Sequence, residues 1–234
     1  MDQSKKGFLL VIEGLDGSGK ATQTALLAQR LLECGAPART VTFPCYDQPF
    51  SAPARMYLNG ELGSDPNAVN PYAAACFYAV DRFASFTVDW KSDYEQGKLL
   101  IADRYATSNA VYQMNKLPHD EWESYLCWLE DFEYKKLAIP RPDLVLYLDM
   151  PVEVSQRLMH RRYNGDHEKK DIHERNVAFL ESCRESALFA AEKLNWKVIS
   201  CSENGEPRAV EEVRAELWNA AALLNEKQES IIYK

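Results

Sequence analysis

FLLVIEGLDGSGKAT spans residues 8–22 and decides the fold. Phe8 to Ile12 is a short, uninterrupted apolar run, as in a strand that is buried on both faces of a sheet. A glycine-rich turn follows. Gly35 then ends a helix whose apolar positions recur at Ala25, Leu26, Leu27, Leu31 and Leu32. The stretch therefore predicts a buried strand, a glycine loop and a helix, in that order.

The glycine loop, Gly14 to Gly19, has the chemistry of an anion site. Residues without Cβ atoms let backbone N–H groups curl around a phosphate, and the following helix points its positive end at the same place. Lys20 adds a mobile cation for the β- and γ-phosphates of a nucleotide. A glycine-rich turn without a ligand is the alternative, and the strand before the loop, the helix after it and the lysine together argue against it.

The residue after the lysine departs from the usual pattern of such loops. A Ser or Thr hydroxyl is expected there to hold Mg²⁺, whereas this chain has Ala21, with Thr22 next. Asp16, inside the loop, is then the candidate ligand for the metal.

The rest of the chain repeats the alternation of strand and helix. Helices are predicted over about 72–96, from about 108, over about 119–137, up to about 194 and from about 207. Four more apolar strands are predicted at Thr40–Phe43, Leu99–Ala102, Leu144–Leu148 and Lys197–Ser200. The pattern predicts an α/β fold, a single domain over residues 1–234 with a five-stranded parallel sheet and helices on both faces. A charged segment with few apolar residues, at about 158–172, is predicted to form a small mobile lid.

Asp103 and Arg104 follow the third predicted strand. Because the carboxyl ends of parallel strands face the ligand crevice, both side chains are expected near the phosphates. A surface ion pair is the alternative. A motor that hydrolyses ATP would usually have a water-activating Glu here, so the arginine favours transfer to a bound acceptor. Asn115-Lys116-Leu117-Pro118 lacks the Asp of a guanine-reading motif and is interpreted as a chance match.

The composition excludes several classes of protein. The chain has 234 residues, 46% of them apolar, which is enough for one sizeable core. A formal net charge of −8 does not suit a protein that wraps nucleic-acid backbone. No stretch approaches the roughly 20 apolar residues of a membrane span, and the first apolar run does not fit a signal peptide. Six cysteines without paired spacing indicate free thiols in a reducing, cytoplasmic compartment.

Together these residues resemble the thymidylate kinase family of P-loop nucleoside monophosphate kinases. The resemblance runs from about Phe8 to Ile199 and rests on an ordered set of motifs: the glycine loop with Asp16, Phe43-Pro44, Phe77-Tyr78-Ala79-Val80-Asp81-Arg82, residues 103–113, and Lys170-Asp171-Ile172-His173-Glu174. It implies a P-loop nucleotide kinase fold and phosphorylation of dTMP to dTDP by ATP and Mg²⁺, for dTTP biosynthesis. It also implies a homodimer.

The resemblance implies roles residue by residue. ATP would be bound by Gly14, Gly17, Ser18, Gly19, Lys20, Ala21 and Thr22, with Arg157 stacked on the adenine. Asp16 would serve the acceptor sugar 3′-OH and the metal, and Glu174 would help to hold the metal through water. Arg104 would bridge the acceptor phosphate and the transferred phosphoryl group.

The acceptor site is implied in the same way. Phe43 and Tyr78 would flank the base, Arg82 would reach its exocyclic oxygen, and Asn109 would bind a ring edge. The remaining acceptor residues would be Tyr46, through its hydroxyl on phosphate, Asp103, and Ser108 and Tyr112, which share one helical face. The alternative role for Tyr78 and for Tyr112 is packing in the hydrophobic core.

A catalytic arginine comes in this family either from the glycine loop or from the lid. Gly17-Ser18 leaves the loop without one, so Arg161 and Arg162 are the candidates. A solvated charge run is the alternative. Two other functions stay open: a kinase for another nucleotide or a nucleoside, and a non-catalytic nucleotide-binding partner protein.

Overall fold

A computed structural model describes residues 6–162 and 171–222, except for the side chains of Arg162 and Ala222. The strands within these ranges are β1 (Phe8–Gly14), β2 (Arg39–Thr42), β3 (Leu99–Asp103), β4 (Leu144–Asp149), β5 (Lys197–Ser200), β6 (Ser202–Glu203) and β7 (Glu206–Pro207). The α-helices are α1 (Lys20–Glu33), α2 (Ala52–Leu58), α3 (Pro71–Ser85), α4 (Lys91–Glu95), α5 (Thr107–Tyr112), α6 (Trp122–Glu130), α7 (Val152–Arg162), α8 (Val177–Lys193) and α9 (Val210–Ala222).

Five of the strands form one sheet in the order β2-β3-β1-β4-β5, and every pairing in it is parallel. This confirms the predicted fold class. β1 is central, with Ile12 opposite Asp103 of β3 and Gly14 opposite Leu148 of β4. The carboxyl ends of three strands therefore meet around the glycine loop, while β6 and β7 form a separate antiparallel hairpin.

Alternate residues of the strands feed two apolar clusters, one on each face of the sheet. Leu9 and Val11 of β1 face a cluster built with α5, α6 and α8. Leu10 and Ile12 face the other cluster, which includes Leu27 of α1 and residues of α9. This period of two explains why the three inner strands, β1, β3 and β4, are nearly continuous apolar runs, since both of their faces are buried.

Two predicted helices contain a π-helical segment. The helix predicted over 72–96 is α3 and α4 joined by a π segment at Phe86–Trp90, and α6 continues as a π segment at Asp131–Lys136. Phe86 and Trp90 in the first segment are both buried and pack edge-on, with ring centroids 4.6 Å apart.

The predicted lid at about 158–172 includes residues 163–170, which lie outside the described residues. The lid and the single-domain assignment stay predictions. Among the described helices, none is both long and apolar enough to cross a membrane.

Candidate active site

The glycine loop runs from the end of β1 into α1. Gly17 and Gly19 have positive φ, 79° and 91°, which side-chain-bearing residues rarely adopt. A Cβ on Gly17 would also lie 2.9 Å from the Ser155 carbonyl oxygen. Gly19 caps α1 without a side chain, so the first amides of the helix are free to meet an anion.

Lys20 is the first residue of α1 and is buried. Its Nζ donates to the Leu15 carbonyl at 2.8 Å, which curls the side chain over the loop. Burial, followed by the charge of Arg104, lowers the pKa of Lys20 to about 8. Because the charged ammonium group is costly to hold in the free protein, a polyanion bound beside it would stabilise that charge strongly.

The other predicted loop residues differ in accessibility. Ala21 and Thr22 are exposed on the first turn of α1. Ser18 is buried, and its hydroxyl meets no hydrogen-bond partner in residues 6–162 or 171–222. The predicted ATP residues of the loop thus lie together at one helix N-terminus.

A charged cluster lies at the carboxyl edge beside the loop. Arg104 has a positive φ of 67° and its Nη2 pairs with Asp16 Oδ1. Tyr112 Oη donates to Asp16 Oδ2 at 3.0 Å and accepts from Arg104 Nη2 at 3.3 Å. Burial opposes ionisation of Asp16, but Arg104, Lys20 and Tyr112 outweigh it and lower its pKa to about 2. Asp16 is therefore a carboxylate at any physiological pH.

Glu13 is a site residue to which sequence reasoning assigned no role. Its carboxylate is fully buried and accepts from the hydroxyls of Thr107 and Ser108, both at 2.8 Å. It also lies 3.7 Å from Arg104 Nη1. The rule that placed Asp103 at the ligand crevice applies equally to Glu13, which is next to last in β1. Ser108, predicted to bind the acceptor, is oriented by this carboxylate.

A cavity opens between this cluster and α3. Its lining includes nine of the ten predicted acceptor residues, namely Asp16, Phe43, Tyr46, Tyr78, Arg82, Arg104, Ser108, Asn109 and Tyr112. Asp103 ends the neighbouring strand and is buried. Asp16 and Tyr112, 96 residues apart in the chain, thus meet at one site, which Asp171 and His173 of the last motif also line.

The apolar walls of the cavity come from Phe43 and Tyr78. Phe43 precedes a cis peptide bond to Pro44 and packs edge-on to Tyr105, with ring centroids 5.6 Å apart. Tyr78 is partly buried and packs edge-on to Tyr57 at 6.3 Å. Tyr78 therefore both contacts its neighbours and lines the cavity.

Polar groups converge deep in the cavity. Arg82 is 2% exposed and forms an ion pair with the fully buried Glu133. Asn109 Nδ2 donates to Glu133 Oε1 at 3.3 Å. Gln113 also lines the cavity, and neither atom of its buried side-chain amide has a hydrogen-bond partner among the described residues. Sequence reasoning assigned no role to Gln113, although it directly follows Tyr112 in the matched motif.

Tyr46 lies at the mouth of the cavity and is 50% exposed. The loop that carries it is held from two sides. Arg55 of α2 donates to the carbonyls of Tyr46 and Gln48, and the Cys45 N–H donates to Asp81 at 3.0 Å. The Tyr46 ring is thus carried on an anchored backbone.

The segment between α7 and α8 supplies Asp171, His173 and Glu174. Asp171 Oδ1 accepts from the N–H groups of His173 and Glu174, at 2.8 and 2.9 Å. Burial, followed by the charge of Asp16, raises the pKa of Asp171 to about 7. Glu174 is buried, and its Oε2 accepts from the Asp171 N–H at 3.3 Å.

The predicted arginines of α7 lie apart from this cluster. Arg157 donates to the Gly205 carbonyl and pairs with Glu206 at 3.2 Å, so it contacts the β6–β7 hairpin. Arg161 is exposed and lines a shallow groove with Arg157. The side chain of Arg162 lies outside the part of the structure that is described. The predicted roles of all three stay predictions.

Comparison with known proteins gives one consistent result. The family model described as thymidylate kinase matches residues 12–213. The thymidylate kinase of Mycobacterium tuberculosis strain H37Rv is 31% identical over 187 residues, 78% of this chain and 84% of that protein. A probable thymidylate kinase of Thermococcus gammatolerans is 34% identical over 189 residues, 80% of this chain and 84% of that protein.

A solved structure of thymidylate kinase from Candida albicans is similar in fold. Its TM-score is 0.67 at 23% sequence identity, and the match covers 94% of this chain and 93% of that one. At this level of identity the likeness concerns the fold alone.

Proposed function

Because the chain belongs to the thymidylate kinase family, we propose that it transfers the γ-phosphoryl group of ATP to dTMP, forming dTDP and ADP for deoxynucleotide biosynthesis. The observation that carries the proposal is the cavity beside the glycine loop. Asp16 belongs to both, since it lies within the loop and lines the cavity. A donor on the loop and an acceptor in the cavity would therefore meet at Asp16.

The donor side is proposed at residues 14–22. The loop amides and Lys20 would hold the β- and γ-phosphates, and the buried Ser18 hydroxyl would gain a partner. The lowered pKa of Lys20, to about 8, supports this assignment, because a nearby polyphosphate would favour the charged lysine. Arg157, beside the hairpin, is proposed for the adenine.

Mg²⁺ is proposed as the metal, and the residues present suit it. No group of three or more metal-binding side chains occurs among residues 6–162 and 171–222. Mg²⁺ on nucleotides needs no such cage, since it is typically bound by one or two carboxylates, substrate phosphates and water. Asp16, ionised at neutral pH, would hold it, with Glu174 acting through water. The metal would supply charge neutralisation on the phosphates.

The acceptor is proposed to be dTMP for reasons of shape and polarity. Phe43 and Tyr78 offer flat apolar surface for a base. The Gln113 amide offers one donor and one acceptor at the floor of the cavity, which is the complement of an imide edge such as that of thymine. Because an amide buried without a partner is costly, the site gains free energy when such an edge arrives.

The proposed mechanism consists of alignment and charge neutralisation. The acceptor is already an anionic phosphate, so no strong general base is required. Bringing the two bound reactants into line can supply on the order of 7–11 kcal/mol. Lys20, Arg104 and a lid arginine, Arg161 or Arg162, would stabilise the developing charge, and lid closure would exclude water.

The compartment and the assembly are also proposals. All six cysteines are free thiols, which supports the cytoplasm. The helical run over residues 71–95 exposes large apolar side chains, Val80, Phe83 and Val88, at 52%, 44% and 73%. Such a patch supports a two-fold dimer. Light scattering on the purified chain should give twice the monomer mass, and Phe83→Glu should shift it towards the monomer.

The experiment that tests the reaction measures ADP release with ATP, Mg²⁺ and a panel of nucleoside monophosphates and nucleosides. We expect the highest kcat/KM with dTMP. A preference for another nucleotide or a nucleoside would favour the alternative kinase. Equal inactivity towards every acceptor, with ATP still bound, would favour a non-catalytic nucleotide-binding protein.

A further inference from the structure

Tyr57 of α2 is the centre of a buried hydrogen-bond cluster that the reaction above does not use. Its hydroxyl donates to the Pro66 carbonyl at 2.9 Å and accepts from Lys116 Nζ at 2.8 Å. His173 Nε2 lies 3.0 Å from the same oxygen. A carbonyl only accepts, so the single phenolic proton is committed to Pro66. His173 must therefore be the donor to Tyr57, and its ring carries the proton on Nε2.

His173 is enclosed by aromatic rings. Its ring stacks on Tyr112 with centroids 5.3 Å apart and an interplanar angle of 14°. Tyr57 and Phe179 pack against it at 5.3 and 5.0 Å. Its backbone N–H donates to Asp171, which fixes the main chain as well. The imidazole is therefore held in position and in rotation, and presents a fixed face to Tyr112.

Tyr112 in turn orients the charged cluster of Asp16 and Arg104. Its hydroxyl donates to Asp16, and the Arg104 guanidinium carbon lies 5.1 Å from its ring centroid. A displaced Tyr112 would release one hydrogen bond of Asp16 and one ring contact of Arg104. Both of these residues belong to the proposed reaction centre.

We propose that His173 is a positioning residue, which rests on the proposed function: with its Nε2–H anchored on Tyr57, it fixes Tyr112 and through it the Asp16–Arg104 pair for the acceptor. Residues 171–174 thereby shape the acceptor site, whose cavity Asp171 and His173 also line.

The environment explains why this position suits an imidazole. A phenyl ring would stack on Tyr112 but would leave the Tyr57 hydroxyl with one donor fewer. The imidazole ring thus provides both the stacking face for Tyr112 and the donor to Tyr57.

The tautomer is testable on the wild-type protein without any assumption about activity. Two-bond ¹H–¹⁵N correlation spectra at pH 7 distinguish Nε2–H, Nδ1–H and imidazolium rings, and single replacements assign the four histidines. We expect the Nε2–H pattern for His173. The Nδ1–H pattern would overturn the proposal, because Nε2 would then have no proton to donate to Tyr57, whereas an imidazolium would keep that donor and support it.

The kinetic test uses two variants that keep the rings. Tyr57→Phe removes only the hydroxyl, and His173→Phe keeps an aromatic ring, slightly larger, but removes both ring nitrogens. Each should lower kcat/KM for dTMP about five- to tenfold, the equivalent of one hydrogen bond, while KM for ATP stays unchanged. Since both changes break the same contact, the double variant should be no worse than Tyr57→Phe. If the contact had a purely structural role, the variants would lower Tm without this difference between kcat/KM for dTMP and KM for ATP.

His119→Phe is the control, because it replaces another histidine that packs on aromatic rings, Trp122 and Phe189, away from the cavity. It should leave both KM values unchanged. Wild-type kcat/KM in His173→Phe, or additive losses in the double variant, would overturn the proposal. If the wild type phosphorylates no monophosphate, the proposed function fails. The tautomer, and the shift of the Tyr112 ring signals in Tyr57→Phe, then still decide this inference.

Discussion

Replacing Lys20 with methionine is expected to stabilise the free protein and to abolish turnover. Methionine keeps the apolar stem and removes the ammonium group. Lys20 is 7% exposed, and burial, with Arg104 second, lowers its pKa from 10.5 to about 8. The fold therefore holds the charged lysine at a cost that the unfolded chain does not have.

The magnitude follows from the same shift. Each pKa unit corresponds to about 1.4 kcal/mol, so the fall from 10.5 to about 8 costs the fold on the order of 3 kcal/mol at pH 7. The variant also loses the hydrogen bond from Nζ to the Leu15 carbonyl, which is worth about 1 kcal/mol. The net expectation is a gain of about 2 kcal/mol in the free energy of unfolding, or about 4–8 °C in Tm.

The sign of the effect depends on pH. The pKa of Lys20 is lower in the folded state, so the penalty is largest below pH 8 and disappears as the pH rises towards 10.5. Methionine should therefore stabilise the protein clearly at pH 7 and only slightly at pH 9.5. Because the Lys20 ammonium group would bind the β- and γ-phosphates, its removal should abolish ADP release at both pH values.

Urea unfolding at pH 7.0 and 9.5, with ADP release measured in parallel, tests both expectations. Lys91→Met is the control, since the Lys91 side chain is 49% exposed and its charge is solvated. A Lys20→Met variant no more stable than wild type at pH 7, or equally stabilised at both pH values, would refute the reasoning from burial. A folded variant with full turnover would show that the loop does not serve ATP.

Three further predictions concern the acceptor and the lid. Replacing Arg161 and Arg162 together with alanine should lower kcat more than nucleotide affinity, because a lid acts mainly when closed; unchanged kcat would leave the pair a solvated surface. Tyr112→Ala should reduce the ratio of kcat/KM for thymidine over ribothymidine monophosphate, because the ring is expected to exclude a ribose 2′-OH; an unchanged ratio in a folded, active variant would remove Tyr112 from the site. Gln113→Leu should raise Tm, since it removes a buried amide without a partner among the described residues. It should also raise KM for dTMP about tenfold or more. An unchanged KM would exclude Gln113 from base recognition.

The fold was predictable from the sequence because its signals are local. The three inner strands are short apolar runs, and Gly17, Gly19 and Lys20 indicate the loop within a few residues of β1. The π segment at Phe86–Trp90 was not predictable, because it depends on how its rings pack against distant residues.

The candidate site was predictable only where a residue carries its own signal. Asp16, Arg104 and Tyr112 were proposed from motifs, and the structure brings them within hydrogen-bond distance of one another. Glu13 was missed although its place at the carboxyl end of β1 signals it, whereas His173 was missed because its role depends on Tyr57, 116 residues away. Spacing along the chain contains no information about such pairs.

The central place of β1 in the sheet has a consequence for synthesis of the chain. β1 leaves the ribosome before both of its neighbours in the sheet, β3 ending at Asp103 and β4 at Asp149. At about 5–20 residues per second, the nascent strand waits on the order of ten seconds for β4. During that interval its unpaired backbone and apolar side chains are open to aggregation and to chaperones. Slowing translation between residues 14 and 149 should therefore lower the soluble yield, whereas slowing it after residue 200 should not.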